Sequence, residues 1–453
     1  MTQKTILNLA VTLLFGAFVS SSLVSCGGDD GGSSTNNPNG SNTEQPQNEN
    51  PVSDGESMSS EQQKQKLQAV ANKFISYAKA SDFADVRDLA NELNLLYKEA
   101  DSHDLGNWWK ATLDDITTFI NGNSVSDGWG GMNYYNYYSR LYSAAKIKGH
   151  FTVSNGKWIR TDANDLQISV KDRSGRDCVA TLTTSGSTKT IFVGESSDKD
   201  YQYVDGASKY TYSYYKNYAE VPQNINFLLT VGGQQIVNVT VTTDINAVSE
   251  QLDLATDSYS VTVNATVKNY NVNVSRLIYK AQGQAALTMT LKKDNVQLLS
   301  VTADGTSSVS GNPDRGYEVK GGNVSSMNVD VLGQVQVKGS LDVSAVMKEK
   351  TDNLNDEATA NRVANNLTAH LKNLGVYYDN GGQRRAWVEA APTYRSKSYY
   401  STWTVQPVVC FDDGTKYSFE EYFEESSWRT VIEAAKQVAK DFQNLINGLN
   451  FKK

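Results

Sequence analysis

The chain has 453 residues, of which 39% are hydrophobic, with a mean hydropathy of −0.48. That length suits roughly two or three domains, or one unusually large β domain beside a smaller one. The formal net charge of −8 argues against nucleic acid as a partner and against a polybasic grip on anionic lipid.

The first stretch is the most informative. Lys4 precedes an apolar run from Ile6 to Val19, and small residues then lead to Cys26. This is the pattern of a secretory signal, and its apolar run is too short to cross a bilayer as a permanent helix. Leu23-Val24-Ser25-Cys26 resembles the lipobox of bacterial lipoproteins. The resemblance implies that residues 1–25 are removed as a signal peptide and that Cys26 is acylated, by palmitate among other chains. The removed stretch holds one lysine and no acid, so the net charge moves from −8 to about −9. The expected membrane partner is therefore reached through N-terminal acyl chains, worth about 0.8 kcal/mol per buried CH₂.

Residues 26–60 read as a polar tether. Gly, Ser, Asn, Asp, Gln, Glu and Pro dominate and cannot bury enough surface to offset chain entropy. Such a segment has a root-mean-square span of about 30 Å. Asp29 and Asp30 resemble the acidic export signal of surface lipoproteins of the Bacteroidota. That resemblance implies a lipid anchor in the outer membrane with the body exposed at the cell surface; the periplasmic face is the alternative.

Residues 61–149 read as helical. One stripe holds Leu67, Val70, Ala71, Phe74, Ile75 and Ala78, and a second holds Phe83, Val86, Leu89, Ala90, Leu93 and Leu96, both at helical spacing. The pattern predicts a third helix through Leu113, Ile116, Phe119 and Ile120, stopping at Gly122, and a fourth over Met132 to Ile147.

Over residues 150–345 the period becomes two. Asn155-Gly156 marks a hairpin between Phe151–Val153 and Lys157–Ile159. Around Gly232-Gly233, burying one apolar face requires Leu229 opposite Val237 and Phe227 opposite Val239, which predicts a three-residue bulged turn. Further strands are expected at Tyr259–Val267, Tyr270–Leu277, Leu287–Leu291, Val296–Val301, Met327–Val331 and Val335–Val337. Together these make an antiparallel meander of about ten strands, one face apolar and the other wet.

Residues 346–453 return to helical spacing at Leu354 to Leu374 and stop at Gly375. A hairpin around Asp413-Gly414 with a two-residue loop would pair Cys410 with Tyr417 and Val408 with Phe419. An amphipathic helix through Trp428, Val431, Ala435, Val438, Phe442, Leu445 and Leu449 closes the chain. The fold class is α+β: an N-terminal helical segment, a central antiparallel meander covered by helices, then a hairpin and helix.

Little in the sequence points to catalysis. His103 neighbours Asp104, but adjacent residues rarely form a catalytic pair; His150 opens a strand and His370 sits on a helix. There is no HExxH, GxSxG or phosphate-cradling loop. Glu420, Glu421, Glu424 and Glu425 are conceivable Ca²⁺ ligands, or acids favoured at a helix N-terminus. No cofactor, metal or nucleic-acid partner is expected. Cys178 and Cys410 could form a disulfide or stay as buried free thiols.

Aromatic density is the unusual feature. Trp129, Tyr134, Tyr135, Tyr137, Tyr138 and Tyr142 form one cluster, and Tyr210, Tyr212 and Tyr214 head another with Tyr201, Tyr203, Tyr215 and Tyr218. These residues either pack the sheet or form a recognition surface for a glycan or polypeptide. The sequence therefore reads as a non-enzymatic, lipid-anchored binding protein of the cell envelope. The alternative is a carrier of a lipid or other hydrophobic ligand in a half-barrel cavity of the meander.

Overall fold

The computed structural model describes residues 58–89, 91, 117–126, 133–143, 148–154, 157–172, 174–204, 207–247, 252–312, 316–371, 373–379, 382–397 and 400–447. The signal, the lipobox with Cys26, the tether to residue 57, His103 and Trp129 lie outside them. The architecture is mostly antiparallel β-sheet with few helices, and the described residues hold 18 strands, a larger sheet than the sequence suggested. Two compact units emerge. One spans Ala80–Ser326; the other joins the N-terminal helix to Met327–Gln443.

The first unit contains β1 (Thr117–Ser126), β2 (Asn133–Ser143), β3 (Gly149–Ser154), β4 (Lys157–Thr161), β5 (Leu166–Lys171), β6 (Asp177–Val204), β7 (Ala207–Val231), β8 (Gln234–Asn246), β9 (Ser258–Val267), β10 (Tyr270–Lys280), β11 (Gln284–Lys293), β12 (Val296–Asn312) and the start of β13 (Gly316–Val331). From β7 to β12 each strand pairs antiparallel with the next. One row across the ladder reads Phe227, Val239, Ala265, Val272, Leu291, Leu299. The next reads Asn226, Thr240, Asn264, Asn273, Thr290, Ser300. Successive side chains point to opposite faces, so the register sorts carbon onto one face and hydroxyls and amides onto the other.

The Gly232-Gly233 hairpin has the expected pairs, Leu229 with Val237 and Phe227 with Val239. The loop has two residues rather than the expected three, and the extra residue is Ile236, in β8. Val231 faces Gln234 across two glycines of positive φ, and the bulge falls between Leu229 and Thr230. Glycine suits both turn positions because a left-handed backbone costs it nothing.

Two expected helices are strands. Residues 117–126 and 133–143 pair as β1 and β2, from Thr117 opposite Tyr142 to Ser126 opposite Tyr134. Aromatic side chains fit a pleated, half-buried surface, and β2 gains partners on both edges. Tertiary pairing here outweighs an apolar spacing that also matched a helix. The hairpin β6–β7 is far longer than the sequence indicated, running from Cys178 opposite Val231 to Val204 opposite Ala207. Its outer half is rich in Thr, Ser, Asp and Lys, which hides the strand period. Two pairings are parallel rather than antiparallel, β2 with β7 and β3 with β5.

The second predicted helical stripe is described in part, as a 3₁₀ turn at Ala80–Phe83 followed by helical residues 84–89. Phe83 stacks on Tyr270 at 5.0 Å. Asp82 accepts hydrogen bonds from Tyr270 Oη at 2.7 Å and Lys293 Nζ at 2.5 Å. Leu89 packs with Val170, Cys178 and Leu229, so this segment covers the apolar side near the turns.

The second unit holds α1 (Ser60–Tyr77), the end of β13, β14 (Val335–Leu341), α2 (Val343–Lys348), α3 (Glu357–Leu371), β15 (Gly375–Tyr378), β16 (Arg384–Lys397), β17 (Tyr400–Phe411), β18 (Lys416–Ser418), α4 (Phe419–Tyr422) and α5 (Glu425–Asn447). Strands β14 to β18 form an antiparallel ladder. β15 and β16 fill a stretch to which the sequence assigned no element. α1 starts with a capping box between Ser59 and Gln62. Its Ala71 joins Ala386, Val409, Phe411, Tyr422, Trp428 and Val431 in one buried cluster. α3 buries Ala360, Val363, Ala364, Leu367 and Leu371.

The C-terminal hairpin is shifted by one residue from expectation. Cys410 faces Lys416 and Val409 faces Tyr417, rather than Cys410 facing Tyr417. The loop is longer because its acids are used elsewhere. Asp413 Oδ1 accepts from the Thr415 amide at 2.9 Å, while Asp413 Oδ2 accepts from the Ser60 amide at 2.7 Å, at the start of α1. The loop therefore also serves the N-terminus of a helix more than three hundred residues away in sequence.

Candidate ligand-binding surface

The parallel pairing of β2 with β7 brings the two tyrosine clusters together. β8 pairs with β7 only from Asn224 onward, which leaves the earlier part of that edge to β2. The register sets Tyr135 beside Tyr212, Tyr137 beside Tyr214 and Tyr138 beside Tyr215. On the other side of β7, β6 sets Tyr201 beside Tyr210 and Lys199 beside Tyr212.

Alternation then separates two faces. On one, Tyr135 stacks on Tyr212 at 5.3 Å and 13°, and Tyr137 on Tyr214 at 5.4 Å and 17°. Tyr201 lies 5.2 Å from Tyr210, which lies 6.4 Å from Tyr212. Lys199 Nζ stands 4.3 Å from the centre of the Tyr210 ring and 5.3 Å from that of Tyr212. On the opposite face Tyr138 stacks on Tyr215 at 5.3 Å with the Arg140 guanidinium 4.2 Å above Tyr215, and Lys209 Nζ sits 4.4 Å over Tyr134.

The first face is both aromatic and accessible. Tyr137 is 48% exposed, Tyr214 38% and Tyr201 52%; Tyr203, next on that face of β6, is 67% exposed. Stacked pairs contribute about 0.5–1.5 kcal/mol beyond area burial, so the ladder also stiffens the strands that carry it. Because neighbouring rings cover each other's faces, the surface offers mainly ring edges and hydroxyl tips. The signal for this site was the i, i+2 tyrosine spacing in both segments. The helical reading of 132–147 concealed that they could pair. Trp129 falls outside the described residues.

Several of the other residues singled out by sequence have structural roles. His150 Nε2 lies 2.8 Å from Asp165 Oδ1, and the Gly149 amide donates to the Asp165 carbonyl at 2.7 Å, joining the start of β3 to the turn before β5. Glu421 completes a capping box with Ser418 at the start of α4, and this backbone hydrogen bond holds its carboxyl below the usual range. Among the described residues no group of three His, Cys, Asp or Glu side chains is placed to hold a metal ion. Cys178 and Cys410 are buried and form no disulfide with each other. Burial, then the Glu389 carboxylate, push the Cys410 thiol up to about 12. Among the described residues no helix is long and apolar enough to cross a membrane.

The fold and this surface define a predominantly antiparallel β protein with a tyrosine-faced arm. No family model, curated protein or solved structure matches the chain.

Proposed function

We propose that the chain is a non-enzymatic binding protein of the cell envelope, anchored by acyl chains on Cys26, whose tyrosine face on β2, β6 and β7 engages a polypeptide. The observation that carries this reading is the convergence of Tyr135, Tyr137, Tyr201, Tyr210, Tyr212 and Tyr214 on one accessible face. Tyrosine supplies large, rigid, amphipathic contact area at low entropy cost, as in antibody paratopes. Sugar rings stack on open aromatic faces, and here the rings of Tyr135, Tyr212, Tyr137 and Tyr214 are occupied by each other. That favours a polypeptide over a glycan. Outer-membrane display, with the tether holding the body clear of the headgroups, rests on the lipobox and on Asp29-Asp30. The test is to probe the chain without its signal against a peptide array and a glycan array in parallel. Saturable binding to peptides supports the reading; binding confined to glycans, or to neither array, overturns it.

A further inference from the structure

The second unit contains a feature that the tyrosine face does not use, a cavity of about 80 Å³ between α1, the sheet and α4. A single water needs roughly 10–15 Å³ of such space, so this cavity is several waters large. Leu67 approaches from the helix, Val376 and Ala386 from the strands, and Phe419 and Phe423 close one side. Its wall is apolar. Of the lining residues with a polar side-chain atom, Trp387 Nε1 donates to Glu389 Oε1 at 2.8 Å and Tyr378 Oη to the Gln63 carbonyl at 3.5 Å, while the buried Tyr422 Oη has no hydrogen-bond partner. One hydroxyl, Tyr422 Oη, falls short of the two to four polar partners a buried water requires, whereas apolar cavities take apolar ligands. Phe423 lines the cavity and is nonetheless 38% exposed, so the aromatic side of the cavity is also its side toward solvent.

We infer that this cavity binds the hydrocarbon end of a small neutral amphiphile. The size admits a short alkyl segment and not a whole lipid, so this is a site for a chain end, distinct from the half-barrel carrier that the sequence offered as the alternative. The preference for a neutral head follows from charge. Glu420, Glu421 and Glu424 are exposed on the segment that carries Phe419 and Phe423, and Lys64, over the Tyr422 ring at 5.2 Å, pairs with Glu61. A carboxylate head would meet acids. The site is independent of the tyrosine face, and either can fail without the other.

The test is calorimetric titration of the full folded body with primary alcohols from 1-butanol to 1-decanol, with octanoate as the charged comparator. Saturable binding is expected, tightening roughly fourfold per methylene until the cavity is filled and then levelling. Octanoate should bind about tenfold more weakly than 1-octanol. Ala386→Ile, which fills the cavity, should abolish alcohol binding while leaving peptide binding by the tyrosine face unchanged. Should Ala386→Ile fail to fold by circular dichroism, Val376→Ile serves the same purpose. Non-saturable uptake, equal binding of octanoate, or unchanged binding in a folded filled variant would overturn the inference.

Discussion

Gln63 is wholly buried in α1, where a polar residue on a helical stripe reads as solvent-facing. Its Nε2 donates to the Met58 and Arg385 carbonyls at 3.1 Å and to Asp412 Oδ1 at 2.9 Å, and Asp412 also pairs with Arg385 at 2.9 Å. Two of the three partners, Arg385 and Asp412, arrive from more than three hundred positions away, so no local pattern could have revealed them. Replacing Gln63 with leucine removes this donor from the Met58 carbonyl and Asp412 Oδ1, while the Arg385 carbonyl keeps the Asp412 amide at 3.0 Å, and should cost about 1–3 kcal/mol, read as a lower urea midpoint. Cys410 gives a second expectation. With its thiol pushed up to about 12, the thiolate is scarce near neutral pH and labelling by iodoacetamide at pH 8 should proceed only after denaturation. Rapid labelling of the folded chain would contradict the buried setting.

Two carboxyls make acid stability a matter of the same neighbourhood. Hydrogen bonds from Lys416, then Trp387, hold Glu389 below its ordinary 4.5. Burial raises Asp413, but bonds from Thr415 and the Ser60 amide outweigh it and leave it below its ordinary 3.8. Both are lower folded than unfolded, so their contribution is fully present above those ordinary values and is lost as pH falls through the lower folded ones. Urea midpoints should therefore drop as pH falls below about 4.5, and the drop should be smaller in Glu389→Gln. An unchanged pH profile in that variant would remove Glu389 from the account.

Among the elements, legibility followed the strength of the local period. β8 to β11 alternate cleanly, and the Leu229–Val237 pairing could be deduced because only one register keeps carbon on one face. β2 could not. Asn133–Ser143 carries tyrosines on both faces, and a strand with two aromatic faces has no clean alternation to read. A related ambiguity covered β6, whose outer half is mostly polar, with Tyr201 and Tyr203 as its aromatic residues on one face. The candidate site depends on both strands, so its residues were visible as two clusters while their convergence was not. The Asp413-Gly414 hairpin slipped by one residue for another reason: its loop geometry answers to the start of α1 as well as to its own strands.

At the scale of the whole molecule, the proposal joins an address to a surface. The proposed acylation at Cys26 predicts that Cys26→Ser should release the protein from membrane fractions. If the body faces the medium, protease added to intact cells should digest it while a periplasmic marker survives; protection of both would place it on the inner side. The tyrosine face is the claim on which function depends, and its two sides supply an internal control. A peptide selected by the wild-type chain should lose about 2 kcal/mol or more, roughly thirty-fold in Kd, on Tyr212→Ala and on Tyr135→Ala, while Tyr138→Ala and Tyr215→Ala, on the opposite face, should stay within about twofold. Equal losses from both faces, or no loss from Tyr135 and Tyr212 in variants that fold, would contradict it.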